Sequence, residues 1–196
     1  MGKLATMVAV MVFGLCSISA SAQYFGVRAG VGISNLLTSS ETSSFGRLFS
    51  TQLGGTIDFE LSDRFYLQSG VTFFKKGGAG TVRNVNLYYF ELPVTARFDF
   101  LEIGREGSLY ARAGFYSGLL LAADIDGDAL EIGNKVGDDI KFFDFGLITG
   151  VGYGFNESID VGLVFEFGFL NLEPNQNNIS LSNGAIMVSA NYRFGM

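Results

Sequence analysis

The 196-residue chain is 48% hydrophobic yet only 16% charged, against roughly a quarter charged in soluble domains, and it holds 27 glycines and 2 prolines. Its formal net charge of −6 argues against a nucleic-acid partner, which calls for a basic face. It has no histidine, which excludes Ser–His and Asp–His catalysis. A Ser–Lys pair is the arrangement left, but Lys75, Lys76, Lys135 and Lys141 are all expected at strand tops or in loops.

The first element is a leader. Lys3 is a minimal basic region, Leu4 to Leu15 is apolar, and Ala20-Ser21-Ala22 resembles a cleavage signal, so residues 1–22 read as a signal peptide with a mature start at Gln23. The apolar run is short of the roughly 20 residues a spanning helix needs. The one cysteine, Cys16, lies in this leader, so the mature chain is expected to have no disulfide.

From Phe25 onward every second residue is apolar: Phe25, Val27, Ala29, Val31, Ile33, with Gly26, Arg28, Gly30 and Gly32 between them. Successive strand side chains point to opposite faces, so this is a half-apolar strand. The alternation recurs over 52–61, 65–74, 88–98, 109–116, 144–153, 159–169 and 186–194, which makes eight segments in all. Short pieces at 62–64, 101–107 and 156–158 join alternate pairs. Longer polar ones, roughly 35–50, 75–86, 120–143 and 171–184, join the rest. An even number of strands with short turns at one end and long loops at the other is the layout of a transmembrane barrel. The expected fold is all-β: an eight-stranded, antiparallel, up-and-down barrel of the outer-membrane type over 23–196.

The two faces then need assigning. A soluble lipocalin-like barrel would put the apolar set inside and expose a Gly/Thr/Gln/Arg wall with few charges for a water-facing surface. The opposite assignment puts Phe25, Val27, Val31, Phe59, Phe90, Phe98, Leu163, Phe165 and Phe167 against lipid. Arg28, Arg97, Arg112 and Arg193 then face the lumen with Asp58, Glu60, Glu91, Asp160 and Glu166. Level pairing would set Arg28 near Asp58 and Asp160 near Arg193. Unpaired buried charge is costly, so these groups are expected to form a paired network that fills a narrow lumen. The alternative is an ion path lined by Arg28, Glu91, Arg97, Arg112 and Glu166. The glycines of Gly150-x-Gly152-x-Gly154 are read as lumen packing, since no helix follows them as in a nucleotide loop. Tyr24, Tyr88, Tyr89, Tyr153, Tyr192 and Phe194, near strand ends, suggest interfacial aromatic girdles. "DIDGD" places Asp124, Asp126 and Asp128 at alternate positions as a weak divalent-cation candidate. A calcium loop would need Gly and Glu where Ala129 and Lys135 stand. Loop 120–143, long and acidic, is the expected contact surface for a protein partner.

Several segments, in order, carry a resemblance: "FGVRAGVGISN" at 25–35, "YFELPVTARF" at 89–98, "ARAGFYSGLLL" at 111–121, "FDFGLITGVGYGF" at 143–155 and "YRF" at 192–194. Together they resemble the outer-membrane β-barrel proteins of Bacteroidetes, the "porin family" or PorT-like group. The resemblance implies an outer-membrane location, insertion by the barrel assembly machinery, contact with outer-membrane lipid and lipopolysaccharide, and no cofactor or catalytic residues. It also brings in an accessory role in protein secretion, which one branch of that group has. Such barrels commonly end on an aromatic residue, whereas here Phe194 is followed by Gly195 and Met196.

Overall fold

The structure is a computed structural model that describes residues 23–39, 45–80, 83–175 and 180–194. The expected leader, residues 1–22 with Cys16, and residues 195–196 lie outside the described residues. Eight long strands form the wall: β1 (Gln23–Thr38), β2 (Leu48–Ser62), β3 (Phe65–Ala79), β4 (Asn84–Ile103), β5 (Gly107–Ile125), β7 (Phe143–Gly154), β8 (Ile159–Gly168) and β9 (Leu181–Phe194). A two-residue strand, β6 (Asp128–Ala129), folds back on the end of β5.

Each long strand pairs antiparallel with its neighbour in sequence, and β1 pairs with β9 to close the ring. Closure is what lets a sheet meet hydrocarbon, because it leaves no edge of unpaired backbone groups. Gln23 and Phe194 both lie at the short-turn end, where β2–β3, β4–β5 and β7–β8 are joined by 2 to 4 residues.

The strands at the other end run further than hydropathy suggests. β3 continues to Ala79 and β5 to Ile125, so the connections shrink to 39–47, 80–83, 126–142 and 169–180. Alternation of apolar and polar residues stops where lipid stops, but backbone pairing does not. That extension carries Lys76 into the wall of the barrel instead of a loop.

The outward face carries the apolar set. Phe25, Val27, Val31, Phe98, Leu163 and Phe167 are exposed, while Phe90 and Phe165 are half-covered by neighbours on the same face. Phe59 departs from the expectation. It occupies the register positions of Gln23 and Leu67 but is only 7% exposed. Aromatic pairs gather in two bands. Phe65–Phe98, Tyr153–Phe155 and Tyr192–Phe194 lie towards the short turns, with ring centroids 5.0–5.2 Å apart. Phe73–Phe90 and Phe115–Phe145–Phe169 lie towards the long loops. These are the two interfacial girdles of a spanning barrel. Tyr24 and Tyr89 do not belong to them: both sit on inward positions, where Tyr24 donates to Glu60 and Tyr89 is fully buried.

Candidate functional site: a filled lumen

The narrow bore of eight strands leaves room for little beyond side chains. They are arranged in two charged clusters with an apolar and hydroxyl-bearing layer between.

The first cluster lies towards the short turns. Asp160, on β8, is its hub. It accepts from Arg97 (3.1 Å), Arg112 (3.3 Å), Arg193 (2.8 Å) and the Tyr110 hydroxyl (2.8 Å). Arg193 also donates to Asp58 at 2.9 Å, and Arg97 to Asp99 at 2.6 Å. Arg28 and Arg112 both donate to the Gln68 side-chain oxygen. Tyr110 underlies Arg97, with the guanidinium 4.1 Å from the ring centroid. Arginine suits this task, since its planar fork can reach several acceptors at once.

Arg28 and Asp58 share this cluster, close enough to interact electrostatically, but no direct ion pair joins them. Their strands pair with Arg28 opposite Gly54 and Tyr24 opposite Asp58, so the two side chains start four residues apart. Asp58 turns to Arg193 instead, across the β1–β9 seam. Asp160 and Arg193 do meet, although their backbones pair Asp160 with Asn191. Glu60 stands at the short-turn mouth, half-buried, as the acceptor of the Tyr24 hydroxyl at 3.3 Å.

The second cluster lies towards the long loops, around Lys76. Its ammonium is wholly buried, 2.7 Å from Glu91 and 2.6 Å from Glu166. The rings of Tyr116 and Phe74 stand 4.2 and 4.5 Å from the same nitrogen. Beside it Asp144 accepts from the Tyr116 hydroxyl (2.9 Å) and from Asn183 (2.8 Å). The assignment of Lys76 to the 75–86 connection is thus overturned, because β3 keeps its inward alternation (Thr72, Phe74, Lys76) past the apolar stretch and buries the lysine. Asp144, Tyr110 and Tyr116 were findable from the same alternation, as inward members of β7 and β5.

Glycines make room for this filling. A side chain at Gly152 would put its first carbon 2.3 Å from the Tyr110 hydroxyl, and one at Gly146 would come 2.6 Å from the Tyr116 ring. Gly152 and Gly162 are therefore a recess for the tyrosine that holds Asp160, while Gly150 lies against the stem of Arg112.

Between and above the clusters runs an apolar core. Ile148, Val164 and Met187 lead to Phe74, Leu87 and Leu120, then to Ile140 and Leu172 in the loops. Loops 126–142 and 169–180 are tied together across the opening. Lys141 N donates to Leu172 O (2.9 Å), Lys141 Nζ to Asn171 O (2.8 Å) and Gly137 N to Asn175 Oδ1 (3.0 Å). They form a cap. At the short-turn end, by contrast, a cavity of about 500 Å³ opens over Tyr66, Arg97, Asp99 and Arg193.

The acidic "DIDGD" stretch is a hairpin turn and not a cation loop. Asp126 (φ 51°) and Gly127 (φ 95°) supply the two left-handed positions that a tight β5–β6 turn requires. Asp124 accepts from Gly127 N (3.0 Å) and Asn86 (2.9 Å), and Asp126 and Asp128 both face Arg83. The bond to Asp128 raises the Arg83 pKa further. Among the described residues no three acidic, histidine or cysteine groups are placed to hold a metal ion.

A closed, lipid-facing, eight-stranded ring with a filled bore defines an outer-membrane barrel. The chain belongs to the outer membrane protein beta-barrel domain family, which it matches over residues 8–194. In fold it is similar to neisserial surface protein A, with a TM-score of 0.55 at 14% identity over 89% of this chain and 100% of that one. It is also similar to OprG of Pseudomonas aeruginosa, with a TM-score of 0.51 at 12% identity over 89% of this chain and 97% of that one. No curated relative matches in sequence. The family and these neighbours imply an outer-membrane location.

Proposed function

We propose that this protein is a non-catalytic, non-conducting outer-membrane barrel that works through its surface: a rigid envelope element presenting a capped set of loops for contact with partners. The observation that carries this reading is the filled lumen. Two charged clusters and the apolar core between them occupy the bore, and loops 126–142 and 169–180 close one end. A buried ion pair that is broken to let solute pass leaves uncompensated charge, which holds the clusters shut. The contact surface is the stretch 120–143, now read as two parts. Its first residues extend β5, and its remainder is the tethered cap with Val136 exposed at the tip. A protein partner meeting this cap would find a preformed surface. Insertion would follow the barrel assembly machinery.

Planar-bilayer recording of the purified barrel is the test. Absence of steady current supports the reading. Steady current that changes with Glu166→Gln or Arg112→Gln would replace it with a narrow pore. The cavity of about 500 Å³ at the short-turn mouth is the observation that favours this second reading, since it opens the lumen from that end as far as Arg97 and Arg193. The finer grouping with the PorT-like proteins, and the secretion-accessory role of one branch, rest on the sequence resemblance. An unchanged secreted-protein profile in a deletion strain would remove that role.

A further inference from the structure

One outward position breaks the apolar wall. On β3 the outward residues Phe65, Leu67, Ser69, Val71 and Phe73 are uncharged, and the next is Lys75. On β2 the matching outward run Leu53, Gly55, Ile57, Phe59 and Leu61 is also uncharged. Lys75 therefore follows directly on the long-loop aromatic band, where Phe73 packs edge-on against Phe90 at 5.3 Å. That is the level at which hydrocarbon gives way to headgroups. Lys75 has no ion-pair partner among the described residues, unlike its neighbour Lys76, which has two.

The wall beside it is hollowed. The β4–β5 ladder shifts between Tyr88 and Tyr89, where Tyr88 faces Ala122 and Tyr89 faces Leu120, so Leu121 is an extra residue. A bulge bends its strand and increases the local twist. Across the bend opens a groove of about 310 Å³ lined by Thr51, Leu53, Phe73, Lys75, Tyr88 and Leu121. Its lipid-facing part is apolar (Leu53, Phe73, Leu121). Its rim carries one ammonium and two hydroxyls (Lys75, Thr51, Tyr88).

We infer that this groove is a binding site for one phosphate-bearing lipid of the surrounding leaflet. The phosphate would sit on Lys75, with the Thr51 and Tyr88 hydroxyls as further donors, and an acyl chain would lie along Leu53, Phe73 and Leu121. Charge complementarity selects the occupant. A second copy docked about a two-fold axis here would bring two unpaired ammonium groups together, whereas a lipid phosphate supplies the missing anion and its chain fills the apolar part. A lysine at a membrane rim extends its stem over apolar surface and its charge towards the headgroups. The site deepens the reading of the wall as lipid-facing and rests on it.

The test is native mass spectrometry of the barrel released from micelles doped with phosphatidic acid, compared with micelles doped with uncharged diacylglycerol. The wild-type barrel should retain one phosphatidic acid and no diacylglycerol. Lys75→Gln should lower retention roughly tenfold, as expected for one charge-assisted contact, and Lys75→Arg should keep it. Leu53→Trp should also lower it by filling the groove while leaving the ammonium in place. Equal retention by Lys75→Gln, or displacement of the lipid by free inorganic phosphate alone, would overturn the site. None of the three substitutions adds charge to the lipid-facing wall. Loss of the lipid with normal bilayer insertion would thus report on the site, whereas failure to insert would count against the lipid-facing wall itself.

Discussion

The two lumen clusters solve one problem in different ways. Near the short turns, four arginines share three aspartates and a glutamine, and the group opens onto a cavity of about 500 Å³. Near the loops, a single lysine lies between two glutamates inside a ring of aromatic side chains and under the cap. The first cluster is redundant: most donors have a second acceptor, and water can replace a lost contact. The second is not, because one ammonium serves both glutamates and, among the described residues, no other cation stands near enough to take its place. A buried network is as robust as its access to alternatives, and charge count alone does not reveal that.

Removing the ammonium should give the largest effect. Lys76→Met leaves Glu91 and Glu166 facing each other without a cation, and should cost about 3–5 kcal/mol of unfolding free energy. Urea titration of the reconstituted barrel, read by the mobility difference between unheated and heated samples, measures it. The triple variant Lys76→Met/Glu91→Gln/Glu166→Gln should recover most of that loss. If it does not, the lysine contributes packing and not charge. Asp160→Asn should cost less, roughly 1.5–3 kcal/mol, since the arginines it releases retain Asp58, Asp99 and Gln68. A loss as large as that of Lys76→Met would erase the contrast between the clusters.

How much of this was legible beforehand depended on the length of each alternation. β8 shows it best: Leu163, Phe165 and Phe167 outward and Asp160, Val164 and Glu166 inward follow from a single unbroken run. The arginine cluster was readable as membership for the same reason, since Arg28, Arg97, Arg112 and Arg193 all sit mid-strand on inward positions. Its pairings were not readable, because Arg28 and Asp58 lie on strands whose relative offset is set by the loop between them and by closure of the ring. Lys76 was missed at a different link. The apolar signal ends at Phe74, and a lysine pair beyond it looks like the start of a loop. Only backbone pairing to Leu87 shows that the strand continues. The acidic turn was partly legible: "DIDGD" has acids at alternate positions but lacks the Gly and Glu of a calcium loop, and Asp126-Gly127 is a hairpin turn whose aspartates face Arg83.

Smaller effects sharpen the contrast. Gly152→Ala places a carbon against the Tyr110 hydroxyl that holds Asp160, and should cost about 1–2 kcal/mol by overpacking. Truncation of the outward neighbour Val151 to Ala should be milder, because lipid can fill the space it leaves. At the cap, Asn175→Ala removes the bonds to Gly137 and Asp138 and should change global stability by less than about 1 kcal/mol. Its effect should appear instead as faster protease cleavage within 126–142, which would show that the cap is held by these contacts and not by the barrel beneath.

The sealing of the bore is tested most directly by reductive methylation of the intact barrel, followed by mass mapping of its lysines. Lys135 and Lys141, in the cap, should be modified quickly, and Lys75 at the lipid rim more slowly. Lys76, one position further along the same strand, should stay unmodified until the barrel is unfolded. Modification of Lys76 in the folded barrel at the rate of Lys135 would mean that the lumen is open to solutes, and the filled-bore reading would fail.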